Sequence, residues 1–240
     1  MRALLAFLLF AVVGTAVVVF VVVPYAAGPV ITGVLQSSGI VQGGSVTIET
    51  KGTGPELVGG HADALHVRGQ DLVIQGLLVG DADVTIRDVA LFDRTFDAID
   101  GTLLRVRVPV DNGPVVTIAS IDLDGPAEAV AADGRLDASE ANAVIREATA
   151  RVGVRIDEAT MGDGVVRLRR GDVAVDASLT VRGGSLVLEP DGGLSSVVLM
   201  ESRPDDPWQL RSVTITPGGL ELSGTVDVRR FSDGSVTLAP

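Results

Sequence analysis

Apolar and polar residues alternate with a period of two along almost the whole chain beyond its first segment, the mark of strands that bury one face. A first series of runs comprises Val46-Thr-Ile48, Leu65-His-Val67, Val84-Thr-Ile86, Leu104-Arg-Val106-Arg-Val108 and Val116-Thr-Ile118. A second comprises Val166-Arg-Leu168, Val173-Ala-Val175-Asp-Ala177, Leu179-Thr-Val181, Leu186-Val-Leu188, Val213-Thr-Ile215, Leu220-Glu-Leu222 and Val226-Asp-Val228. Gly and Asp clusters separate them as turns do. About a dozen short strands with frequent turns predict an antiparallel, sheet-rich architecture.

Between the two series the period changes. Ala141, Val144, Ile145, Ala148 and Val152 fall at i, i+3, i+4, i+7 and i+11, which predicts an amphipathic helix from Asp137 to about Val152, closed by Gly153. Asp137-Ala-Ser-Glu140 reads as its capping box. A weaker helical piece is expected at Val30–Ser38. The fold class that follows is α+β, mostly β: a strongly curved antiparallel sheet clasping one or two amphipathic helices.

The first segment obeys neither pattern. Residues 3–23 are uncharged and apolar, and as a helix they would reach roughly 31 Å, the thickness of a bilayer's hydrocarbon core. Arg2 precedes the run and no positive charge follows until Lys51, so the positive-inside bias places the N-terminus in the cytoplasm and residues 28–240 outside. We read residues 1–27 as a single-pass signal anchor, a transmembrane helix in the cell membrane, and 28–240 as one extracytoplasmic domain. The competing reading is a cleaved signal peptide, which exports the same domain. Against it stand the length of the run and the bulky Tyr25 before Ala26-Ala27.

Charge and composition narrow the function. The net charge is −12, which opposes nucleic-acid binding because no excess of Lys and Arg is present to displace counterions from phosphates. The absence of Cys excludes disulfides, thiolate metal sites, a Cys nucleophile and lipid attachment at a lipobox cysteine. Only Phe92, Phe96, Trp208 and Phe231 are aromatic beyond the anchor, so the interior must be built from aliphatic side chains.

Catalytic motifs are not found: the chain holds no G-x-S-x-G, H-E-x-x-H, G-x-x-x-x-G-K-[ST] or G-x-G-x-x-G pattern. His61 and His66 are the only histidines, and on one extended segment their odd separation sets them on opposite faces, wrong for a shared metal. Asp81 with Asp83, and Asp122 with Asp124, share a face but lack a calcium-loop context; a charged solvent face is the better reading. The arginines at 105/107, 167/169/170 and 229/230 alternate with Val or Leu and suit solvated strand faces, although Arg also has the shape for bidentate phosphate contacts. No cofactor, metal site or enzymatic activity is expected.

The order of these features resembles a known family. Gly60-His-Ala-Asp-Ala-Leu65-His-Val67 leads into Asp71-Leu-Val-Ile-Gln-Gly76-Leu-Leu-Val79 and Val84-Thr-Ile86-Arg-Asp-Val89; later come the capped helix, Ser185-Leu-Val-Leu-Glu-Pro190, and Leu210-Arg-Ser-Val-Thr-Ile-Thr-Pro-Gly-Gly-Leu-Glu-Leu-Ser-Gly224. This succession, covering roughly residues 30–235, looks like the LmeA-type phospholipid-binding family of actinobacterial cell envelopes. The resemblance implies a tubular lipid-binding architecture, a curved sheet wrapped around a long helix with an apolar tunnel, and supplies no catalytic residues. It implies a phospholipid or related envelope lipid as partner, with protein partners unknown. The candidate lipid-binding residues are Leu57, Leu65, Val67, Val84, Ile86, Val144, Ile145, Ala148, Val152 and Val175. The alternative is a membrane-anchored structural or interaction module, a sandwich or AsmA-like sheet with a filled core and no ligand.

Overall fold

The computed structural model describes residues 44–74, 77–90, 93, 95–109, 115–203 and 206–232. The expected membrane span at 3–23 and the helical piece at 30–38 lie outside them. Among the described residues no helix is long and apolar enough to cross a membrane.

Thirteen strands form two antiparallel sheets among the described residues. The chain enters through β1 (Ser45–Lys51), makes one short helical turn, α1 (Gly54–Val58), and then runs as a meander of long strands: β2 (His61–Ile74), β3 (Leu77–Ala90), β4 (Ala98–Pro109), β5 (Val115–Pro126) and β6 (Val130–Asp137). It leaves this sheet through α2 (Ala138–Arg151) and builds a second one from β7 (Glu158–Met161), β8 (Val166–Arg170), β9 (Val173–Arg182), β10 (Ser185–Pro190) and β11 (Val197–Met200). The hairpin β12 (Trp208–Thr216) and β13 (Gly219–Val226) returns to the first sheet, and α3 (Arg229–Ser232) follows. The orders are β1-β2-β3-β4-β5-β6-β13-β12 and β11-β10-β9-β8-β7. The mostly-β expectation is met, with the larger sheet curled into a half-barrel.

The curl has a local cause. Gln70 pairs with Asp81 and Leu72 with Val79; Asp81 pairs with Leu104 and Val79 with Val106; Leu104 pairs with Ser120 and Val106 with Ile118. Asp71, Gly80, Arg105 and Ala119 are therefore skipped side by side, a line of irregular positions across β2 to β5. Asp71 and Arg105 carry φ of 50° and 51°, a left-handed conformation that bends a strand and raises its twist. Arg105 lies over Gly80, where an added Cβ would stand 2.8 Å from its Nε, and reaches Asp81 at 2.6 Å.

This crease corrects the period-two reading of β4. Leu104, Val106 and Val108 were expected on one face; with the left-handed Arg105 between them, Leu103 and Val106 turn inward and Leu104 turns out. A further irregularity at Asp63 and Asp88, where Ala62 pairs with Val89 and Ala64 with Arg87, corrects the histidines. Ala62 and Leu65 both point inward, so His61 and His66 share the outer face, about 16 Å apart along the strand.

One apolar core serves both sheets, from Leu65, Ile86, Ile99 and Ile121 in the half-barrel to Val166, Leu186 and Leu188 in the smaller sheet. Two strands of that sheet, β9 and β10, touch β12, so the second sheet leans on the far edge of the first.

Candidate functional site

The described residues offer an aliphatic interior around α2 and a polar groove on the outer face of the half-barrel. The first is built by topology. α2 packs on β5, β6 and β13 of the large sheet, and it also touches β7 and β11, the two edge strands of the small one. A sheet whose opposite edges both meet one helix must arch over it.

The helix spans the predicted range, and its stripe is buried at Ala141, Ile145 and Ala148 and half-buried at Val144. Thr149 is also buried, a polar side chain within that face; its Oγ1 donates to the carbonyls of Ile145 and Arg146 at 2.9 and 3.0 Å, so the hydroxyl costs little. Asn142 accepts the Ala159 amide at 2.9 Å and so ties edge strand β7 to the helix.

Two expectations for α2 are corrected. Asp137 is the N-cap residue but makes no side-chain cap hydrogen bond; the Ala138 amide donates instead to the Gly218 carbonyl in the β12–β13 turn, at 2.9 Å. A tertiary partner has taken part of the local cap's role. Val152 is 56% exposed, because the helix ends at Arg151 and Val152 stands at its C-cap, beyond the cover of the two sheets.

The ten candidate lining residues fall in two places. Val144, Ile145, Ala148 and Val152 belong to α2, and Val175 is half-buried in β9 of the arch. Leu65, Val67, Val84 and Ile86 are buried in β2 and β3, and Leu57 packs half-buried from α1, which touches β2. The contacts of α2 with β5, β6 and β13 place these five at the other end of the eight-stranded order from the arch. Unforeseen contributors beside the helix are Ala159 and Met161 of β7 and Val197, Leu199 and Met200 of β11, all buried. Both strands are four residues long, too short for alternation to announce them.

The outer groove has a volume of about 360 Å³ and is lined by Ser45, Thr47, Arg68, Gln70, Asp81, Asp83 and Thr102 among others. Its charges are mutually engaged. His66 Nε2 lies 2.6 Å from Asp83, Arg68 lies 3.5 Å from Asp83 and 3.8 Å from Glu49, and Arg105 binds Asp81. The hydrogen bond from His66 holds the Asp83 carboxyl below its usual range. These contacts describe a solvated, internally paired strand face, as expected for Asp81 and Asp83. Asp122 likewise accepts from the Thr102 hydroxyl at 2.7 Å.

The arginine pairs divide. Arg167 and Arg169 do sit on a solvated strand face, bound to Asp176 and Glu158 at 2.8 Å, whereas Arg229 and Arg230 belong to α3 and not to a strand. No protein-family model, curated protein or solved structure matches the chain.

Proposed function

We propose that the chain is a non-catalytic, membrane-anchored extracytoplasmic protein that binds phospholipid or a related envelope lipid, for its maintenance or transport, with acyl chains held in an apolar groove. The observation that carries this reading is the arch: both edges of the five-stranded sheet meet one helix whose covered face is aliphatic. It suits the tubular lipid-binding architecture that the resemblance to the LmeA-type family implies. Burial of an acyl chain from water gains about 0.8 kcal/mol per CH₂, and most of this cancels against the bilayer from which the lipid comes. A carrier therefore needs only an interior as apolar as the membrane, which an Ala, Val, Leu and Ile lining supplies.

Val144, Ile145 and Ala148 of α2, with Val175, are the part of the candidate lining that the arch favours. Leu57, Leu65, Val67, Val84 and Ile86 serve the same role only if the ligand extends along the half-barrel. Purification of the full chain, followed by lipid extraction and mass spectrometry, is expected to yield a stoichiometric phospholipid. Absence of any co-purified lipid, combined with no uptake of a fluorescent phospholipid, would remove the proposal. The alternative, an interaction module, is favoured by one feature: among the described residues β1 is an edge strand, paired only with β2, and such an edge can accept a partner strand. That reading predicts partner capture abolished by Ile48→Pro with lipid content unchanged.

A further inference from the structure

Inward-facing positions around α2 change from buried to exposed in one direction. Along β8, Val166 and Leu168 are buried, and Arg170, the next residue on the same side, is exposed. Along β9 in reverse, Ala177 is buried, Val175 half-buried and Val173 64% exposed. Along α2, Ile145 and Ala148 are buried and Val152 is 56% exposed. These rows point to the same end. Arg170 pairs with Val173 across the β8–β9 hairpin, and the chain leaving α2 reaches that hairpin through Asp157. Its amide donates to the Arg169 carbonyl at 2.8 Å, and its carboxylate accepts the Gly171 amide at 2.7 Å. Arg155 lies two residues before this clasp. Arg155 and Arg170 are both exposed and have no ion pair among the described residues. Of the carboxylates nearby, Glu158 is held by Arg169, Asp176 by Arg167 and Asp157 by Gly171, which leaves Asp172 in the turn with no ion pair among the described residues.

We infer that this end, between the C-terminus of α2 and the β8–β9 hairpin, is the mouth through which an acyl chain enters the arch, with Arg155 and Arg170 holding the phosphate of its headgroup at the rim. The inference rests on the lipid-binding reading above and adds the route and the headgroup chemistry. Val152 and Val173 form an apolar threshold that a tail crosses without desolvating a charge, and guanidinium groups suit a phosphate left outside.

The test uses the full chain in lipid nanodiscs, mixed with donor vesicles that contain self-quenched fluorescent phosphatidylglycerol or, separately, fluorescent diacylglycerol, which has the tails without the phosphate. Val152→Asp and Val173→Asp are expected to slow transfer of both lipids about tenfold, since each sets a carboxylate in the apolar path. Val198→Asp, the same change at an exposed valine of β11, leaves both rates unaltered. Arg155→Gln with Arg170→Gln lowers the phosphatidylglycerol rate several-fold and spares diacylglycerol. All five positions are exposed, so melting curves serve as a folding control. If the wild type transfers lipid and the two Asp variants match it, the mouth is elsewhere and the inference falls while the function stands. Equal losses for both lipids in the arginine variant would overturn the phosphate role. No transfer by the wild type overturns the lipid-binding reading itself.

Discussion

Gly101 sits within β4 opposite Val84 with φ of 151°, and a Cβ there would stand 2.3 Å from the Asp83 carbonyl oxygen. Gly101→Ala should therefore destabilise the protein by about 1–3 kcal/mol, read from the denaturant midpoint; an unchanged midpoint would mean that the strand relaxes freely. On the outer face Asp122 stands directly opposite Asp133, both exposed, and like charges so placed repel. Asp133→Lys is expected to raise stability by up to about 1 kcal/mol, with the gain fading in high salt. Hydrogen bonding lowers three carboxyls below their ordinary values: Asp83 through His66, Asp176 through Arg167, and Glu56 through the Thr53 hydroxyl and amide. A lowered folded value means that the unfolded chain takes up protons first as pH falls. The stabilisation is thus full above the ordinary values of 3.8 and 4.5 and is lost below them. Acid titration of Asp176→Asn should show a shallower loss than the wild type over that range; an identical curve would deny the Arg167 contact any role.

At the scale of elements, α2 was legible because a 3.6-residue stripe and its stop at Gly153 depend only on local spacing. Its covering was not. Ile145→Ala should cost about 2–5 kcal/mol, because both sheets close over that side chain, while Val152→Ala should stay within about 0.5 kcal/mol; comparable losses at the two sites would contradict the placement of the helix end. The strands show the same division. Alternation located β1 to β5 and most of β8 to β13. It missed β6, whose Val130-Ala-Ala-Asp-Gly-Arg-Leu-Asp137 run carries too few large apolar residues to register, although Val130, Ala132 and Leu136 are buried. It also misphased β4, since a left-handed residue inside a strand resets which face the next side chain takes and leaves no hydropathy signature.

For the whole molecule, the insertion of α2 and β7–β11 between β6 and the β12–β13 hairpin binds two sheets into one core. The structure should therefore unfold in one step, with far-UV circular dichroism and the fluorescence of Trp208, the single tryptophan, buried at the start of β12, changing together. Separate midpoints would show that the arch and the half-barrel are independent units. Of the candidate lining, the residue types and their inward phase on β2, β3 and α2 could be read from the chain. That the list divides between the two ends of the large sheet could not, because strand order, and with it the distance between Ile86 and Ile145, is set by pairings remote in sequence.

By itself the sequence determined what local physics controls: an apolar first segment, strands by alternation, one amphipathic helix by its stripe, and an aliphatic interior for want of aromatic residues. Tertiary structure decided which faces close on which. The crease through Asp71, Gly80, Arg105 and Ala119, the arch whose two edges meet α2, and the exposed end at Val152 and Val173 all arise from contacts between segments far apart along the chain. A periodicity records which side of an element is apolar; it does not record what comes to cover that side, or where the cover stops.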